Sequence, residues 1–204
     1  AEEAHKKLSP ASAGPFHVIS PSKHILIVSG TASSVTHQQL RGIEKRKIPA
    51  FQLTHSIIVG DGTEADKEKR ELSEKVGNSL SQGIAILKTP SEMLHSGESA
   101  DLPIHLRITK SLAGVVLLAL EASNVEPRDL ALILTGGETA QHVVNGLGTE
   151  GIEIEGELLE GIVKGHLMGG NWDGLSVITK AGAFGKEDAM ERIVEMLEAG
   201  STLT

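Results

Sequence analysis

The chain has 204 residues, 39% of them apolar, and a formal charge of −8 from 27 acidic and 19 basic residues. A chain of this length buries a core without staples, and the absence of Cys excludes disulfides and thiolate metal sites. The acidic balance, with three Phe, one Trp and no Tyr, argues against nucleic acid and anionic membranes as partners.

Residues 1–22 are small and polar with Pro10, Pro15 and Pro21 among them, and read as a linker or extended lead-in. No apolar core follows their charges, so they are not a signal peptide. The longest apolar run, Leu112 to Leu120, falls short of the ~20 residues a membrane-spanning helix needs. The expectation is a soluble, cytoplasmic protein. His24 to Val28 is a β-branched apolar run stopped by Ser29-Gly30, the pattern of a buried strand. Val35 to Ile43 has helical spacing, with Ser33, Ser34 and Thr36 as candidate caps. Phe51 to Val59 reads as a second strand region, and Glu64 to Ser81 as an amphipathic helix with a solvated charged face. Ile84 to Leu87 is a short strand, and Ser91 to Pro103 an exposed loop. Ile104 to Ser123 is the longest helical pattern, with a wide apolar stripe through Leu112, Val116 and Leu120.

Leu130 to Leu134 is a third clear strand, with a short helix, Glu138 to Asn145, behind it. Ile152 to Ile154, Ile162 to Leu167 and Leu175 to Thr179 suggest further strands, and Lys186 to Ala199 a closing helix. The alternation predicts an α/β layered sandwich around a mostly parallel sheet, with antiparallel strands added near the C-terminus.

Three of these strands end in turns rich in Gly, Ser and Thr: Ser29 to Thr36, Thr135 to Thr139, and Thr179 to Gly185. In open α/β sheets ligands sit beyond the carboxyl ends of strands. Glycine lets the backbone approach a ligand, and the free amides of a helix start favour an anion. Lys180 or Lys186 could add positive charge. Each turn alone also has a plainer reading as a tight turn followed by a routine helix cap.

Two other features read as structural. Gly146-Leu147-Gly148-Thr149-Glu150-Gly151 matches a dinucleotide fingerprint, but it follows a helix rather than a strand, so its glycines are expected to end that helix. Nine His show no metal-binding spacing; His142 near the second turn is expected on a helix surface, and Trp172 among Gly169, Gly170 and Gly174 as a hairpin anchor. No Walker A motif is present.

In order, Gly30-Thr31-Ala32-Ser33-Ser34-Val35-Thr36-His37-Gln38-Gln39, Gly136-Gly137-Glu138-Thr139 and Lys180-Ala181-Gly182-Ala183-Phe184-Gly185 resemble the motifs of the C-terminal nucleotide-binding domain of four-carbon acid sugar kinases. The resemblance runs from about Ile25 to the end. It implies phosphorylation by ATP of the terminal hydroxyl of acids such as threonate, erythronate or their 3-oxo forms. It also implies nucleotide contacts from Ser33, Gly136, Gly137, Glu138, Thr139 and Gly182. Phosphoryl transfer rests on positioning and charge neutralisation, usually with Mg²⁺; Glu138 could orient a metal-bound water, and no residue is assigned as a metal ligand. The family's Asp-Asp-x-Thr-Gly stretch, which binds the sugar acid and supplies the general base, is absent from this sequence. Residues 1–22 then read as a tether from a missing N-terminal domain and residues 23–204 as the nucleotide-binding domain, inactive alone, with no catalytic residue assigned. The alternative is a free-standing nucleotide- or sugar-phosphate-binding module. A homo-oligomer is left open.

Overall fold

The structure is a computed structural model that describes residues 18–30, 33–90 and 103–202. Their strands are β1 Val18–Ile19, β2 His24–Ser29, β3 Ala50–Gln52, β4 Ile84–Lys88, β5 Leu130–Thr135, β6 Gly151–Leu159, β7 Ile162–Met168, β8 Ser176–Lys180 and β9 Ser201–Thr202. Their α-helices are α1 Ser34–Glu44, α2 His55–Val59, α3 Thr63–Leu80, α4 Ile104–Ser123, α5 Gly137–Gly146 and α6 Ala189–Ala199. Most of the expected lead-in, residues 1–17, lies outside the described residues, as does most of the expected Ser91 to Pro103 loop. The end of the lead-in joins the domain: β1 pairs antiparallel with β9, and the Ser22 amide donates to the Leu197 carbonyl.

Among the described residues one seven-stranded sheet runs β3-β4-β2-β5-β8-β7-β6. The first five strands in that order are parallel, whereas β7 and β6 run antiparallel as a hairpin against β8. This is the expected α/β architecture, with its antiparallel strands late in the chain.

The strands alternate between two apolar layers. Leu26, Val28, Leu132 and Leu134 face a core that includes Ile108, Val116, Val143 and Trp172. Ile25, Ile27, Ala131 and Ile133 face a second that includes Leu40, Ile43, Ile193 and Leu197. A strand covered on both faces needs apolar side chains at every position, which is why β2 and β5 read as continuous runs. Helices α1 and α6 cover one face, and α2 to α5 the other. Trp172 is thus a core residue, in a 3₁₀ turn after β7. Among the described residues no helix is long and apolar enough to cross a membrane.

One expectation is corrected. Phe51 to Val59 is not a strand region: β3 stops at Gln52, and the Thr54 hydroxyl accepts from the Ile57 amide to start α2. Ile57 and Ile58 point into the core as helical neighbours. A capping Thr inside a short apolar stretch resembles an alternating strand, and that similarity produced the misreading.

The register aligns the carboxyl ends of the parallel strands. Gln52 lies opposite Lys88, Lys88 opposite Ser29, Ser29 opposite Thr135, and Thr135 opposite Lys180. Five polar residues thus close five apolar strands along one straight rim.

Candidate functional site

The chain leaves β2 through α1 on one face of the sheet and leaves β5 through α5 on the other. Adjacent parallel strands whose crossovers diverge open a crevice at their carboxyl ends. A cleft of ≈ 390 Å³ opens there, lined by Gly30, Gly136, Gly137, Glu138, Thr139 and Gly182, with Ile104, His105, Ile108 and Thr109 of α4 as its far wall.

Each side of the cleft has a local cause. Gly136 adopts φ 94° and donates its amide to the Lys180 carbonyl at 2.9 Å, which turns the chain sharply from β5 into α5. The first helical bond at this end runs from the Ala140 amide to the Gly136 carbonyl. The amides of Gly137, Glu138 and Thr139 are therefore first-turn donors with no acceptor inside the helix. The macrodipole adds partial positive charge at that end. Among the described residues a Cβ at Gly137 would meet no atom within 4 Å beyond its own turn of helix, so the space beside its backbone is open there. Gly30 is the opposite case: a Cβ there would lie 2.5 Å from Thr139 Oγ1 and 2.7 Å from Leu112 Cδ1.

The third turn is held from beneath by α1. Thr36 Oγ1 donates to the Gly182 carbonyl at 2.7 Å. The fully buried Gln39 side-chain amide lies 2.7–3.2 Å from the carbonyls of Phe184, Gly185 and Lys186. Lys180, only 2% exposed, puts its ammonium within reach of Thr36 Oγ1 and the carbonyls of Ala181 and Gly182. Burial lowers its pKa from 10.5 to about 8.

Of the residues singled out in the sequence, Gly136, Gly137, Glu138, Thr139 and Gly182 share the cleft. Ser33 occupies the N-cap position of α1 and is not among the lining residues. His142 sits on the surface of α5, its Nδ1 2.9 Å from the Glu138 carbonyl. The α4 wall, His105 and Thr109 included, was not legible, because a helix start after Pro103 carries no mark of which strand end it will face.

The family of nucleotide-binding C-terminal domains matches this sequence over residues 26–190. The chain belongs to that family. Among curated relatives, this C-terminal domain is 25% identical over 185 residues to a D-erythronate kinase of Heliobacterium modesticaldum, a match covering 86% of the chain and 42% of the relative. It is 27% identical over 187 residues to a D-threonate kinase of Salmonella typhimurium, covering 84% and 43%. The domain thus spans less than half the length of these relatives. Its fold is shared with a Bordetella bronchiseptica domain of unknown function, a domain-swapped dimer with bound citrate, at TM-score 0.67 and 23% identity over 89% of this chain and 42% of that one. A Haemophilus influenzae protein aligns at TM-score 0.65 and 22% identity over 88% and 42%.

Proposed function

We propose that this chain holds ATP for transfer of its terminal phosphoryl group to the terminal hydroxyl of a four-carbon sugar acid, the acid being bound by a further domain. One observation carries this reading: Gly137, Glu138 and Thr139, whose first-turn amides have no acceptor inside the helix, line a cleft shared with Gly30 and Gly182 at the divergence of β2 and β5. Open space at Gly137 fits the close approach of a phosphate to backbone. The kinase names of the curated relatives supply the reaction class.

In that reaction the acceptor hydroxyl oxygen bonds to the γ-phosphorus and the bond to the β–γ bridging oxygen breaks. ADP leaves, and the hydroxyl proton passes to a base on the further domain. This chain contributes binding and orientation: amides on the phosphates, the Lys180 charge beneath the third turn, and Ile104 and Ile108 as an apolar wall. Mg²⁺ would neutralise phosphate charge when bound. Among the described residues no three acids or His gather into a metal site, but a cation carried in by the triphosphate needs only one or two carboxylates, and Glu138 at the cleft fits that role.

Calorimetric titration with ATP, ADP and a sugar phosphate tests the reading. Binding of ATP and ADP but not the sugar phosphate supports it, and the reverse favours a sugar-phosphate module. In a coupled assay for ADP release, this chain mixed with D-erythronate or D-threonate is expected to show no turnover. Turnover would refute the dependence on a further domain.

A further inference from the structure

A second cleft, of ≈ 250 Å³, opens between α1 and the carboxyl ends of β2 and β4. We propose that it binds a phosphate group, free or carried by a small monoester, at a site separate from the nucleotide cleft. Such a site stands or falls independently of the kinase reading.

Topology makes the crevice. Strand β2 lies between β4 and β5, and all three are parallel. Among the described residues the helix that follows β2 is α1, on the face that also carries α6. The helices that follow β4 and β5 are α4 and α5, on the other face. Crossovers therefore diverge on both sides of β2, and each divergence is a place where open α/β sheets hold ligands. The nucleotide cleft takes the β2–β5 side. This cleft takes the β2–β4 side, with Ser29, Lys88 and Thr89 as its floor and His37, Arg41 and Glu44 of α1 as its wall. Ser29 and Lys88 follow Ile27 and Ile86 in strand alternation and so face α1. His37, Arg41 and Glu44 recur at four and three residues and share one helix face.

The donors suit a tetrahedral oxyanion. Glu44, the lone acid of the lining, pairs with Lys88 and is neutralised by it. Arg41 has no acidic partner among the described residues, which leaves its fork of donors for two oxygens of one phosphate. Thr89 is 4% exposed, and its buried hydroxyl has no hydrogen-bond partner among the described residues. An unpaired buried hydroxyl costs free energy, and a phosphate oxygen would remove that cost. Ser29, 2% exposed, adds a second hydroxyl at the floor. Donors thus come from wall and floor together, a spread that tetrahedral oxygens match better than the two coplanar oxygens of a carboxylate.

The test is nuclear magnetic resonance titration of the ¹⁵N-labelled chain with inorganic phosphate, glycerol 3-phosphate and acetate, the ionic strength being held constant with chloride. Saturable shifts at residues 37–41 and 88–89 are expected with phosphate, at concentrations about tenfold or more below those acetate needs. Glycerol 3-phosphate tells the two sources apart: tighter binding than phosphate identifies a monoester as the occupant, and weaker binding identifies the free ion. Arg41→Gln should weaken phosphate by about tenfold or more. Thr89→Val should leave the melting temperature without phosphate unchanged or higher, because no native bond is lost, yet reduce the rise that phosphate gives. Phosphate shifts confined to 136–139, shifts at 37–41 that do not saturate, acetate binding as tightly as phosphate, or saturation indifferent to Arg41→Gln would each overturn the proposal. Arg41 is not among the residues that line the nucleotide cleft, so ATP and sugar-phosphate titrations of Arg41→Gln read that cleft alone and the two failures are separable.

Discussion

The Lys180 ammonium stands 3.2 Å from the Thr36 hydroxyl, and Thr36 donates its own proton to the Gly182 carbonyl. A buried cation therefore rests on neutral oxygens under the third turn, with no carboxylate beside it among the described residues. Its folded pKa, about 8, lies below the ordinary 10.5. Between those values the unfolded chain holds more protons than the folded one, so stability should rise with pH across that window. Lys180→Met should abolish the rise in denaturant melts. The ammonium lies beneath the Gly182 turn that lines the cleft, so on the proposed nucleotide site the same variant should weaken ATP by roughly tenfold, and wild-type affinity should fall above pH 8.

Gly137→Ala separates folding from binding. Among the described residues the added methyl meets no atom within 4 Å beyond its own turn of helix, and alanine favours a helix over glycine by up to about 1 kcal/mol. The melting temperature should hold or rise. ATP affinity should fall by about tenfold or more if a phosphate packs against that backbone. Unchanged affinity would remove Gly137 from the site.

Gly30→Ala acts through packing. Its Cβ would press on Thr139 Oγ1 and Leu112 Cδ1, and overpacking of this kind costs about 1–3 kcal/mol. A lowered melting temperature is expected, partly relieved by the double variant Gly30→Ala, Thr139→Ala, which removes the hydroxyl oxygen nearest the intruding Cβ.

Gln39→Leu strips the donors that hold the carbonyls of Phe184, Gly185 and Lys186. These three residues are exposed, so water replaces part of the loss, and a cost of about 0.5–1.5 kcal/mol per lost bond is expected. Hydrogen exchange at the Phe184 and Ala189 amides, which close the turns of this segment, should accelerate relative to β5.

How far the site could be read ahead of the structure depends on where its partners sit in the chain. The second turn was readable because Gly136, Gly137 and Thr139 act within five residues of one another. The parallel strands were readable because burial on both faces leaves continuous apolar runs. The first motif was legible only in part. Thr36, read as a candidate cap, and Gln39, read as a helix position, hold a turn almost 150 positions away in sequence. Only the crossover of α1 onto the face that also carries α6 brings them to it. Short α2 was lost for the related reason that three residues of strand and five of helix fall below the length at which periodicity separates the two.

Glu155 gives the acid limb of stability. Burial raises its pKa, but hydrogen bonds and charge from Lys164 and His166 outweigh that, and the net position is lowered. A carboxyl depressed in the folded state adds stability that is present above its unfolded pKa and is lost as pH falls through the folded one. Glu155→Gln should flatten the acid limb of the melting profile, with the β6–β7 hairpin the first segment to lose amide protection in wild type.

The straight rim from Gln52 to Lys180 has a consequence for how such a domain tolerates change. Neighbouring strands lie about 4.8 Å apart, so the loops after β2, β5 and β8 are spaced like teeth of a comb whose pitch belongs to the backbone. Drift in side chains leaves that pitch alone. A single-residue deletion inside β5 would drop its tooth below the others and turn Leu132 and Leu134 to the wrong layer, damaging shape and grip together, whereas lengthening the loops between the teeth would disturb neither.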